Sequence, residues 1–295
     1  MMLKPFRFSV VGGNSQSRMA WINFARRAEE LGYDSLLLPD RTQMKLAPFA
    51  ALAVAAAATT TLRVGSYVFC NDYRHPALLA KEVATLDLLS EGRFELGIGA
   101  GAGANDYRQL GLPFEAAGTR VGRVEEAITI IKQFFTEERV NFSGKYYTVV
   151  DLPGLPRPVQ RPHPPIFIGS ASQRMLSIAA RQANIVSPTA RFARPGEAIN
   201  DVPLEQKIAW VREAAGERFA QLELSQAAYQ LSISDNPAEV VPPDGAPPIP
   251  RKAMSTEQAV EYLLAQREQL GFSYIQVYDG QMENFAPVVA RLRGK

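Results

Sequence analysis

The feature that most constrains this chain is an alternation. Short runs rich in β-branched and aromatic residues exchange, eight times over, with longer stretches of helical periodicity. The expected strands are Phe6–Val11, Ser35–Pro39, Leu62–Phe69, Arg93–Gly99, Pro165–Ser170, Asn184–Ser187, Gln226–Ser234 and Ser273–Tyr278. Between them lie amphipathic segments with readable ends. Trp21, Phe24, Ala25, Ala28 and Leu31 fall on one helical face that stops at Gly32, and Pro76 suits the first turn of a helix. Ser255 is placed to cap a helix that closes on Gly271. Long β/α alternation admits a doubly wound sheet or a (β/α)8 TIM barrel, and eight units with no midpoint linker favour the barrel. The chain of 295 residues is read as one domain, 1–295, with insertions near 141–163, 188–201 and 235–253. The first insertion precedes the fifth strand. The other two follow strands six and seven, which puts them at the C-terminal face where barrel active sites form.

Composition removes several function classes. Lys and Arg number 32 against 30 Asp and Glu, with no basic tract, so nucleic acid is not an expected partner. One cysteine, Cys70, allows no internal disulfide and suits a reducing cytoplasm, the expected location. That cysteine with two histidines, His75 and His163, is too few for a His/Cys zinc centre, and no metal is expected. The apolar run 47–58 is too short and alanine-rich to span a membrane, and the N-terminus lacks a signal-peptide pattern.

The segment GRFELGIGAGAGANDY (92–107) carries glycines at 97, 99, 101 and 103. It loosely matches a dinucleotide fingerprint, but that motif opens a helix at once, and here the next strong helical pattern begins at Arg120. In a barrel it is strand four running into its catalytic-face loop. Glycines there keep side chains out of the pocket and leave backbone N–H groups for a polar ligand, or simply supply positive φ. A second cluster, Gly169-Ser170-Ala171-Ser172, ends strand five and precedes a helix. It is a phosphate grip or an ordinary N-cap at Ser172. Strand two ends in Asp40 and Arg41, and Asp40 is either a ligand or the partner of Arg41 or Arg74. His75 reads as a cap and Cys70 as a buried filler.

The blocks AEELGYDSLLLPD, HPALLAKEVATLDLLSEGRFELGIGAGAGANDY, PIFIGSASQRMLSIAARQANIVS and EYLLAQREQLGFSYIQVY, in that order, resemble the luciferase-like monooxygenase superfamily. The nearest branch is the deazaflavin (coenzyme F420)-dependent oxidoreductases. The resemblance implies a TIM barrel with insertions, commonly a homodimer, that holds a deazaflavin or FMN at the C-terminal face. It implies that Asp40 faces the ring system and that the strand-three end, Ser66, Phe69, Cys70 and Asn71, backs it, with a non-proline cis peptide in that region. Ala100, Gly101 and Asn105 match cofactor contacts, and Gly169, Ser170, Ala171 and Ser172 match the phosphate grip.

Several deazaflavin-dependent alcohol and sugar-phosphate dehydrogenases of this kind place a histidine after the strand-two aspartate and a glutamate just after the strand-four glycines. Here those positions hold Arg41 and Ala102. Neither removes a proton from an alcohol. The expected reaction is therefore hydride transfer between reduced coenzyme F420 and an activated C=C or C=N bond of a small molecule. Arg41 would polarise or hold the substrate, and Tyr107 or solvent would give the proton. The alternatives are an FMN-dependent two-component monooxygenase with a partner reductase, and a non-catalytic flavin-binding relative.

Overall fold

The structure, a computed structural model, describes residues 3–191, 201–228, 231–234 and 252–295. Eight parallel strands close into a barrel. They are β1 (Arg7–Val11), β2 (Ser35–Leu38), β3 (Arg63–Ser66) with its continuation β4 (Phe69–Cys70), β5 (Phe94–Gly99), β8 (Ile166–Ser170), β9 (Ile185–Pro188), β10 (Glu223–Ala227) and β13 (Phe272–Tyr278). Each pairs with its neighbour in this order, and β13 returns to β1 through Arg7 opposite Tyr274. Helices α1 (Arg18–Glu30), α2 (Pro48–Ala58), α3 (Pro76–Leu89), α4 (Ala104–Leu110), α5 (Ala117–Thr136), α6 (Gln173–Gln182), α7 (Leu204–Ala215), α8 (Thr256–Leu270) and α9 (Met282–Leu292) follow the strands. The expected TIM barrel is the observed fold.

Helix ends form where the local chemistry puts them. Ser17 Oγ accepts the Ala20 N–H at the start of α1, and Gly32 at φ +83° follows its end. Ser255 and Gln258 make a reciprocal capping box on α8, which closes on Gly271 in the left-handed conformation. His75 Nδ1 accepts the Ala77 N–H and caps α3. Among the described residues no helix is long and apolar enough to cross a membrane.

The inside of the barrel is filled in two different ways. At its N-terminal end the filling is ionic. Glu95 of β5 is fully buried; it accepts Arg63 Nε of β3 at 2.7 Å and the Tyr274 hydroxyl of β13 at 2.9 Å, and is paired with Arg7 of β1. Burial alone would raise the Glu95 carboxyl, but Arg7 and then Arg63 outweigh it and hold the group below the ordinary carboxylate range. Arg7 also reaches Glu223 of β10 at 2.8 Å, yet burial lifts that carboxyl. A second, apolar set comprises Val11, Leu37, Phe167, Ile185 and the Tyr274 ring, with Tyr67 and Val68 packed on it.

Three expectations need correction. The seventh barrel strand is Glu223–Ala227, not Gln226–Ser234; Leu231–Ile233 is a separate short strand, β11, paired with β12 (Lys252–Met254). The third strand is not continuous over Leu62–Phe69 but breaks at Tyr67–Val68, whose peptide is cis. The glycine segment does open a helix before Arg120, since α4 starts at Ala104 and α5 at Ala117.

The segment 139–153, which covers the first part of the insertion near 141–163, is an antiparallel hairpin of β6 (Arg139–Ser143) and β7 (Thr148–Pro153). The Glu126 carboxylate on α5 accepts the backbone N–H groups of Lys145, Tyr146 and Tyr147 at 2.8, 2.9 and 3.1 Å, which seats the hairpin tip on that helix. Tyr147 then reaches Asn71 at the end of β4. Most of the other two insertions, residues 192–200 and 235–251, lies outside the described residues.

Candidate active site at the C-terminal end of the barrel

The four alternate glycines are bare because protein, not ligand, occupies the space a side chain would need. A Cβ on Gly97 would press into the backbone oxygen of Ser66 inside 3.0 Å, and one on Gly99 would meet the Val68 side chain at 2.9 Å. At Gly101, in the left-handed region at φ +72°, it would meet the Tyr107 hydroxyl and Cys70 Sγ. At Gly103 it would meet the Asp106 carboxylate and, at 3.1 Å, Arg41. The glycines thus let β3, β4 and α4 close on β5. Ser66 completes the seam: it donates to the Gly97 carbonyl at 2.8 Å and accepts the Gly97 N–H at 2.9 Å.

Most of the remaining sequence-derived candidates meet in one web around this seam. Asp40 is 8 % exposed; it accepts the Cys70 N–H at 3.1 Å and pairs with Arg74 at 2.8 Å. Of its two possible partners Arg74 is therefore the one in place. Arg41 turns instead to Asp106 of α4, its Nε 2.5 Å from the fully buried carboxylate, and Thr42 gives that carboxylate a second bond at 2.7 Å. The Arg41 side chain is 49 % exposed, and its Nη groups have no acceptor among the described residues. Asn71 is buried and donates to the Tyr147 hydroxyl at 2.9 Å. Phe69 is buried and stacks on Phe49 with ring centres 4.5 Å apart. Asn105 lies nearer the surface and accepts from Arg108 at 2.6 Å.

Tyr107 sits deeper than a solvent-facing proton donor. It is 1 % exposed, donates to Asp72 at 2.8 Å, and lies 3.4 Å from Cys70 Sγ. Burial first, then Cys70 and Asp72, raise the Tyr107 hydroxyl far above the ordinary tyrosine value, and burial likewise raises the Cys70 thiol.

The second cluster lies at the end of β8. Ser172 caps α6 by accepting the Met175 N–H at 3.4 Å, and Ser170 Oγ accepts the Ser172 N–H at 3.1 Å. Ser172 is exposed and Gly169, Ser170 and Ala171 are half-buried. The two hydroxyls also lie 3.3 Å from each other, so one donates to the other and one hydroxyl proton is left over; with the N–H groups of Gln173 and Arg174, which have no acceptor among the described residues, it is available to grip an anion. Between the clusters, the apolar Tyr67–Phe167 pair, ring centres 5.4 Å apart, suits the face of a flat ring. Both halves of the arrangement therefore fit a ring cofactor with a phosphate tail. A separate open groove of about 550 Å³, lined by Trp21, Lys45, Leu46, Ala51 and Val54, lies between α1 and α2 and includes none of these residues.

Sequence reasoning missed three participants: Asp72, Arg120 and Tyr147. Arg120 carried a signal, since it stands on the same helical stripe as the buried Val124 and Ile128.

The seam predicts an asymmetry. Gly97→Ala faces a backbone atom that cannot yield and should lower stability by about 3 kcal/mol. Gly99→Ala meets only a side chain that can turn and should cost about 1 kcal/mol. Urea denaturation of both variants measures this, and equal small losses would contradict the account.

A family model described as luciferase-like monooxygenase matches residues 1–242. An F420-dependent glucose-6-phosphate dehydrogenase of Microbacterium testaceum is 35 % identical over 191 residues, covering 62 % of this chain and 56 % of the relative. An FMNH(2)-dependent dimethylsulfone monooxygenase of Pseudomonas putida is 34 % identical over 125 residues, 42 % of this chain and 34 % of the relative. The chain thus spans about half the length of the curated relatives it matches. The structure of a coenzyme F420 dependent tetrahydromethanopterin reductase from Methanopyrus kandleri superposes with TM-score 0.80 over 98 % of this chain and 100 % of the other, at 17 % identity, a likeness of fold. With the family model spanning most of the chain and the barrel matching from end to end, this protein belongs to the luciferase-like monooxygenase family.

Proposed function

We propose that this protein is a coenzyme F420-dependent oxidoreductase that reduces an activated C=C or C=N bond. Its dehydrogenase relatives and its neighbour in fold are named as F420-dependent, which supports the cofactor. The observation that carries the reaction type is the state of the acids. Asp40, Asp72 and Asp106, gathered at the ends of β2, β4 and β5, are each held by an arginine: Arg74, Arg123 and Arg41. None of the three is free to take a hydroxyl proton, and His75 Nδ1 is committed to capping α3.

When bound, reduced coenzyme F420 supplies a hydride. The chain's own part is to hold and polarise. Gly169–Ser172 and the first N–H groups of α6 would grip the phosphate, and Tyr67 and Phe167 would form the ring's apolar bed. Asp40, with the β4 end from Phe69 to Asn71, and Ala100, Gly101 and Asn105 would form the surrounding wall. Arg41, anchored through Nε, keeps its outer edge for a substrate carbonyl or carboxylate. With Tyr107 buried and committed to Asp72, solvent at the mouth supplies the proton.

The test is anaerobic single turnover. Reduced F420 on the enzyme should be reoxidised by unsaturated carbonyls or imines, while secondary alcohols or glucose 6-phosphate should not reduce oxidised F420. Ready alcohol oxidation would overturn the reading. Arg41→Lys keeps the charge but not the planar fork and should raise KM about tenfold with little change in kcat.

A second reading rests on the FMNH(2)-dependent relative: an oxygen-activating monooxygenase fed by a separate flavin reductase. We also propose a homodimer, because Leu78, Leu88 and Leu89 of α3 are 61, 47 and 70 % exposed and Val54 of the neighbouring α2 is 39 % exposed. Sedimentation should give twice the chain mass, and Leu89→Lys should shift it toward monomer. A monomer at high concentration would refute this.

A further inference from the structure

Arg120, in the first turn of α5, is a buried cation of unusual company. It is 7 % exposed, and among the described residues no carboxylate pairs with it. Its guanidinium donates to the Glu115 carbonyl at 3.0 Å, to the Ala100 carbonyl at 3.0 Å, and to the Gly101 carbonyl. Its flat face lies 4.0 Å from the centre of the Phe114 ring. The neighbouring Arg123 is neutralised by Asp72 and Glu115, so the contrast lies within one helix.

Two consequences follow for the glycine loop. The peptides after Ala100 and Gly101 are trans. In a planar trans peptide the N–H points opposite to the carbonyl, so the N–H groups of Gly101 and Ala102 face away from Arg120. Neither has an acceptor among the described residues, and Ala102 is exposed. A desolvated positive charge on the carbonyl side also polarises both peptides, which strengthens their N–H ends as donors. Ordinary buried arginines are matched by a carboxylate that cancels this field. Arg120 is not.

We infer that Arg120 is a positioning residue that fixes two adjacent N–H groups of the loop and charges them to hold an anionic oxygen of the ring cofactor. The inference rests on the cofactor reading above and adds a preference for the ionised ring. The ionisable 8-hydroxyl of oxidised coenzyme F420 provides a probe through its absorption spectrum. Bound to the intact protein, the ring ionises at a pH about one unit lower than when free, equivalent to about tenfold tighter binding of the anion. Arg120→Gln loses most of that displacement and binds the anion about tenfold more weakly. Arg120→Lys, which keeps a charge but reaches fewer carbonyls, retains part of it.

Spectral pH titration of bound F420, with thermal unfolding of each variant in parallel, separates the outcomes. A purely structural arginine would lower Tm and leave the displacement unchanged. That result, or no displacement in the intact protein, overturns the inference while leaving the cofactor reading intact. If Arg120→Gln fails to fold, the intact protein and Arg120→Lys decide the matter. If the intact protein binds neither F420 nor FMN, the cofactor reading fails and this inference with it.

Discussion

Glu95 is the interaction on which the barrel depends. It is a fully buried carboxylate whose donors come from three other strands: Arg7 of β1, Arg63 of β3 and Tyr274 of β13. Leaving such a charge without its partners would cost about 3–5 kcal/mol. The requirement for all three ties strands across the ring at its lower end. Above this ionic floor sits the apolar set of Val11, Leu37, Phe167 and Ile185, and Tyr274 belongs to both, with its hydroxyl in one and its ring in the other. The mouth is built on that second layer, so a polar plug at one end supports a dry bed at the other.

The site itself is organised by arginines rather than by general bases. Arg74, Arg41 and Arg123 each neutralise one aspartate at the strand ends, while Arg120 grips main-chain carbonyls and has no carboxylate partner among the described residues. Among the described residues such a site is well supplied with donors, and its carboxylates are committed to arginines. It suits a reaction whose difficult part is brought by the cofactor and whose protein contribution is orientation and electrostatics.

The barrel was legible because its helices carry caps at the residues expected, Ser255 and Gly271 above all, and because most strands are apolar runs. The seventh strand was misplaced for a physical reason. Glu223 and Ser225 of β10 bond Arg7 and Gln276 inside the polar part of the barrel, so the true strand does not read as hydrophobic. The more apolar segment just after it took its place. The hairpin at 139–153 was hidden because much of it is exposed, with Val140 and Val149 its buried members. In the site, the glycine spacing announced a special backbone but not its purpose. The atoms that crowd those glycines, from Ser66, Val68, Tyr107 and Asp106, come together only once the chain has folded.

The central claim is that this mouth is built for a deazaflavin. Fluorescence titration of the protein with oxidised coenzyme F420 and, separately, with FMN tests it most directly, with reduced FMN repeated under anaerobic conditions. The account predicts saturable F420 binding at about micromolar concentration, with FMN at least about tenfold weaker, a difference of about 1.4 kcal/mol. Tighter binding of FMN in either redox state would contradict it and place the protein with the oxygen-activating members of its family.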